Sequence, residues 1–226
     1  MPDIDDAALA ATLPFSSIGA LPGDAVPVAW TAIAAADGPT ERVAVARRAW
    51  PAGWLEQIPQ FAEVLNTRLV DVRLVSANDV PALMYVIDHS RADRVVTWLG
   101  YEPAAFGEPP QFWNSFPEPL QDFLRHTHAG FVSHDNYSFG LFRPSEMVTM
   151  AETAGSPDGI DFWDEIQPYP STRLLQIAAN GPGTMYCVCP DVPVGELVLA
   201  DEAEAEVLEL GPALDDLMMA RFSLTS

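Results

Sequence analysis

Cys187-Val188-Cys189 places two thiols two residues apart. Side chains alternate along an extended chain, so both thiols share one strand face. A bond between them demands strained geometry, and a zinc site needs a second pair of soft ligands that the sequence lacks. Small buried hydrophobes are the expected role of both. His126 and His128 stand about 200° apart around a helix and do not converge on one metal. His128 and His134 meet only across a loop, with Asp135 available to orient a ring, and surface or capping roles are expected for these histidines. Ser133-His134-Asp135 contains the residue types of a hydrolytic triad. Triad members converge from separate elements, however, and no Gly-x-Ser-x-Gly elbow accompanies them. Asn180-Gly181-Pro182-Gly183 lacks the Lys and the following helix of a phosphate loop, and reads as a hairpin turn. The pairs Asp164/Glu165 and Asp215/Asp216 are adjacent and expected to face solvent, which does not build a general acid and base. These patterns assign no catalytic residue, no metal ligand and no cofactor.

The segment 156–166 differs in kind. It mixes Phe162 and Trp163 with Asp158, Asp161, Asp164 and Glu165 in a long connection between elements. Long connections inside a domain are often functional, and Trp is enriched at interface hot spots. Asp158, Asp161, Phe162, Trp163, Asp164 and Glu165 are therefore the partner-binding candidates. The competing expectation is that Phe162 and Trp163 tuck onto the sheet and leave only the acids exposed.

The charge balance speaks to solubility and to a cationic partner alike. The 226 residues hold 32 acids against 11 bases, all Arg, for a net charge of −21, and 49% of residues are apolar. That composition folds. It lacks the basic stripe that phosphate binding requires, so nucleic acid is not an expected partner. No apolar run is long enough to span a bilayer, and Met1-Pro2-Asp3-Ile4-Asp5-Asp6 is acidic where a signal peptide is basic, so a cytoplasmic location is expected. Residues 1–105 carry 13 acids and 7 Arg, whereas Glu152 to Asp216 carries 14 acids and only Arg173. A one-sign surface keeps a protein soluble and attracts cationic partners over a Debye length.

The elements that must position these residues can be read in order. Residues 1–24 look like a flexible arm. Residues 25–106 read as β-rich. A strand–turn–strand pair is predicted over 26–50 around Asp37-Gly38-Pro39-Thr40, a short helix from Pro59, and strands over 68–75, 82–88 and 94–99. Proline and glycine between Tyr101 and Gln111 mark a boundary, with a second domain over 107–226. There the spacing predicts a helix over 117–128 with Leu120, Phe123, Leu124 and Thr127 inward, and a short strand over 137–142. A helix from Pro144, a loop over 155–172, strands over 174–179, 185–188 and 196–200, and a closing helix from Pro212 follow.

The order of these pieces resembles the SUKH superfamily, named after fungal Smi/Knr cell-wall regulators and related bacterial proteins. Phe116-Pro117-Glu118-Pro119-Leu120-Gln121-Asp122-Phe123-Leu124 is similar to its Leu-Pro…Tyr…Phe-Leu helix, and Ala129-Gly130 stands in the place of Asn-Gly-Gly. Gly140-Leu141-Phe142 before Pro144-Ser145-Glu146 resembles its strand-to-helix step. Leu174 to Val188 resembles its central hairpin, and Gly195-Glu196-Leu197-Val198, Asp201 and the Leu214/Leu217 helix complete the order. The likeness covers residues 112–222. The helix that opens the family is reduced here to Trp98-Leu99-Gly100, and the 26–101 region has no counterpart. The resemblance implies an α+β fold, a C-terminal antiparallel sheet packed by helices, and a non-enzymatic role. Many bacterial members are immunity proteins that bind and block toxins, here through an acidic surface facing a basic toxin domain. A cytoplasmic scaffold or adaptor of the same fold, and a small-molecule enzyme housed in the N-terminal half, are the alternatives.

Overall fold

The computed structural model describes residues 18–89, 95–133, 139–181 and 183–223. Its N-terminal region begins with a short strand, β1 (Ile18–Ala20), and then turns helical: α1 (Thr31–Ala34), α2 (Pro39–Arg48), α3 (Ala52–Leu55) and α4 (Pro59–Thr67). The strand–turn–strand pair expected over 26–50 is therefore replaced by helices. Its apparent alternation through Val43 and Val45 is not the buried pattern. Pro27, Trp30 and Ile33 are buried at a spacing of three, and Val43, Ala46 and Trp50 at three and four, which is helical periodicity. Pro39 opens α2, Glu41 lies in its first turn, and Arg47 and Arg48 lie in its last, where the helix dipole favours each sign.

The strands expected next do form: β2 (Leu69–Ala77), β3 (Val80–Asp88) and β4 (Val95–Tyr101). Asn78 and Asp79 join β2 to β3 in a two-residue turn with φ of 51° and 64°, a conformation that these two residue types tolerate best after glycine. β5 (Phe131–Ser133) completes a five-stranded antiparallel sheet in the order β1-β2-β3-β4-β5. The 117–128 helix forms as α5 (Glu118–Asp122) continued by a π-helical turn over Phe123–Thr127, and Leu120, Phe123, Leu124 and Thr127 are all buried. Arg125 of that π-helical turn lies 5.7 Å from the ring of Phe106, in the Tyr101–Gln111 crossing, and 4.9 Å from that of Trp113 just beyond it.

A second antiparallel sheet contains β6 (Leu175–Ala179), β7 (Thr184–Val188), β8 (Glu196–Asp201) and β9 (Glu204–Glu209), in that order. β9 was not expected, because its Glu-Ala-Glu-Val-Leu-Glu run alternates over only four residues and breaks at Leu208. Residues 139–142 are not a strand. Leu141 alone makes single bridges to Phe131 and to Ala178, and Phe142 N donates to Ile177 O at 2.8 Å, so one residue spans the seam between the sheets. The helix expected from Pro144 is one 3₁₀ turn (Pro144–Glu146), and the next helix, α6 (Met150–Thr153), starts at a Thr149–Glu152 capping box. The expected 155–172 loop contains a helix, α7 (Asp161–Ile166). α8 (Leu210–Ala220) closes the described chain. The architecture is α+β.

One continuous hydrophobic core runs from Trp30 to Phe222 and takes residues from both sheets. Asp215, 1% exposed rather than solvent-facing, joins the halves: its carboxylate accepts from Gln60 N at 2.9 Å and Phe61 N at 2.8 Å, satisfying the first turn of α4 from α8. A second buried carboxylate, Asp71, accepts from Arg42 and Arg73 and ties α2 to β2.

Candidate protein-binding face

α7 exists because one of its residues is buried. Trp163 is 2% exposed and packs in a separate cluster with Leu174, Cys187, Cys189, Val192, Val198 and Ala200, while its indole N–H donates to Tyr169 O at 2.8 Å. Trp163 does not present its ring to a partner; it anchors the helix that carries the others. Asp164 closes the same loop. It accepts from Ile160 N at 3.1 Å and from Ser171 N at 2.6 Å. Gly159 makes room for it: at φ +131°, a Cβ there would lie 2.6 Å from Asp164 Oδ2. Asp164 is thus partly committed to holding the segment.

Phe162 behaves oppositely. It is 65% exposed, and Ile166, one helical turn on, is 51% exposed. Asp158, Asp161 and Glu165 around them are exposed. Gln167 Nε2 donates to Ala203 O at 2.5 Å, which fixes the end of α7 beside the β8–β9 turn. That hairpin carries Asp201, Glu202, Glu204, Glu206 and Glu209 with no base among residues 201–209, and strand alternation sets Asp201, Glu204 and Glu206 on the sheet face opposite α7. Of the six sequence candidates, Asp158, Asp161, Phe162, Asp164 and Glu165 reach the surface together, and Trp163 supports them from beneath. Ile166 is the exposed neighbour that the sequence candidates omit. The i, i+4 spacing of Phe162 and Ile166 carries that signal only once the segment is helical, and its Pro- and Asp-rich flanks read as a loop.

The remaining candidates are structural. Cys187 and Cys189 are buried on one face as expected, and burial raises both thiol pKa values, which disfavours the reactive thiolate. His126 is exposed, but His128 is a core residue and not the surface or capping group expected. Its Nε2 lies 2.7 Å from Tyr85 OH, which itself accepts from Trp50 Nε1 at 3.1 Å, so the three rings share one buried hydrogen-bond chain. Burial pushes the His128 pKa down to about 3, partly offset by the Tyr101 backbone. The ring fits because β4 has Gly100 beneath it, where a Cβ would meet the imidazole at 2.6 Å. Ser133 is buried, while His134, Asp135 and Pro182 lie outside the described residues. Among the described residues no group of three or more His, Cys, Asp or Glu side chains is placed to hold a metal, and no helix is long and apolar enough to cross a membrane. Comparison of the chain with family models, with curated proteins and with solved structures finds no match in any of the three.

Proposed function

We propose that this chain is a non-enzymatic binding protein, an immunity protein that neutralises a cognate bacterial toxin in the cytoplasm by covering a basic face of it. The observation that carries the reading is the pair Phe162 and Ile166, exposed one turn apart on a helix pinned by Trp163 and framed by Asp158, Asp161 and Glu165. Solvent-exposed Phe on a rigid support, ringed by charge, is the composition of an interface anchor with a polar rim. The surrounding acids, with no base between Glu152 and Asp216 except Arg173, suit a cationic partner such as a nuclease surface built to hold phosphate. The toxin assignment itself draws on the SUKH resemblance.

The test is co-expression with a toxin candidate encoded beside this gene. The unaltered chain is expected to co-purify with the candidate and restore growth. The Phe162→Ala, Ile166→Ala double variant, which removes only exposed side chains, is expected to stay folded and lose at least about 2 kcal/mol of affinity. Undiminished binding by that variant would place the interface elsewhere.

A further inference from the structure

The β8–β9 hairpin leaves an unusual open edge. A two-residue turn, Glu202–Ala203, sets Asp201 opposite Glu204. In such a hairpin Glu204, Glu206 and Leu208 turn their N–H and C=O groups toward β8, and the Leu210 N–H donating to Gly195 O at 2.8 Å keeps the same rhythm. Ala205 and Val207 therefore turn theirs outward. Among the described residues no strand pairs with that edge. The side chains sort as sharply as the backbone. Ala205 packs with the Trp163 cluster and Val207, 37% exposed, follows it on that face, whereas Leu208 packs with the main core and shares the opposite face with exposed Glu204 and Glu206.

We propose that β9 is a receptor strand, completed by a partner segment that alternates Lys or Arg with apolar residues. The proposal rests on the protein-binding reading above and names how the partner is held. Main-chain groups of the incoming strand would meet those of Ala205 and Val207. Its bases would lie opposite Glu204 and Glu206, and its apolar residues on the face that carries α7, continuing toward Phe162 and Ile166. Charge complementarity selects this occupant. A second copy of the chain would set Glu against Glu along the edge, which like-charge pairing disfavours, so the acids block self-association through β9 while admitting a cationic strand.

A short capped peptide of alternating Lys and Val tests this, with an alternating Glu and Val peptide as its counterpart. Saturating Lys–Val peptide is expected to slow amide exchange at Ala205 and Val207 by at least about 10-fold, because only strand pairing covers those N–H groups. Val207→Pro removes one outward N–H without touching the β8 ladder and is expected to weaken the peptide about 10-fold with little change in Tm. If that variant melts early, exchange in the unaltered chain decides. Glu204→Gln with Glu206→Gln is expected to weaken the peptide about 5-fold at low salt. Failure of the Lys–Val peptide to bind, equal binding of the Glu–Val peptide, or unchanged exchange at both amides with Lys–Val peptide bound would overturn the receptor strand. Loss of that peptide in Phe162→Ala, Ile166→Ala without protection of the two amides would overturn it as well and leave the α7 face standing.

Discussion

Removing the Trp163 indole would leave a hole beneath α7 and the Tyr169 carbonyl without its donor. Trp163→Ala is therefore expected to cost about 3–5 kcal/mol in urea unfolding, as large-to-small changes at buried aromatic sites do. Any loss of binding in that variant would follow from a disordered helix. Phe162→Ala removes a side chain that is mostly in water, so its Tm is expected to shift by less than about 2 °C. The two neighbours thus separate stability from recognition. His128 supplies a pH signature at the same scale. Folded, it stays neutral until pH falls to about 3; unfolded, it takes up a proton near its ordinary value of 6.5. The unfolded state binds more protons across that window, so stability is fully present above about pH 6.5 and declines as pH falls toward 3. Between pH 7 and pH 5 this group alone removes about 2 kcal/mol. Urea midpoints at the two pH values measure it, and His128→Gln is expected to flatten the difference. An equal slope in the variant would assign the effect to other groups. Glu152, held low by the Thr149 backbone and hydroxyl, and Asp191, held low by Arg173, act in the same direction only once pH falls through the ordinary carboxylate value toward their lowered ones.

Elements were legible where local pattern and burial agree. The Pro59 helix, the three long N-terminal strands, the inward face of the 117–128 helix and the β6–β7 hairpin around Asn180-Gly181 could all be read from spacing and turn residues. Residues 26–50 could not, because Ala and Val alternate there by composition while burial selects Pro27, Trp30, Ile33, Val43, Ala46 and Trp50 at helical intervals. β9 was illegible because its alternation lasts only four residues and breaks at Leu208. The candidate face was half-visible. Its acids and Phe162 were named, but the role of Trp163 depends on β7 and β8 arriving beneath it, a tertiary fact. Asp215 shows the same dependence: nothing near it in sequence says that it caps a helix 155 residues away. Asp215→Ala would orphan two N–H groups at the start of α4, one of them buried. It is expected to cost about 2–4 kcal/mol in urea unfolding, with Asp216→Ala, an exposed control, nearly neutral.

At the scale of the whole molecule, the main core takes residues from both sheets, while the acidic α7 face sits on a separate cluster around Trp163 built on the other side of β7 and β8. Charge then acts at a distance that packing does not. The 14 acids from Glu152 to Asp216 lie in a stretch with one Arg, and that Arg173 is paired with Asp191. A field of this sign accelerates diffusional encounter with a cationic partner and is screened as the Debye length shrinks from about 10 Å at 0.1 M salt to about 3 Å at 1 M. Contacts desolvated after docking govern departure instead. Asp158→Asn, Asp161→Asn and Glu165→Gln together, sparing Asp164 because it holds the loop, are expected to slow association about 10-fold at low salt with less than about a 2-fold change in the off-rate. Phe162→Ala should do the reverse, raising the off-rate at an almost unchanged on-rate. Stopped-flow kinetics with the toxin candidate across a salt series separates the two. An association rate indifferent to both ionic strength and the three neutralisations would mean that the acids serve solubility, and that partner capture rests on Phe162, Ile166 and the β9 edge alone.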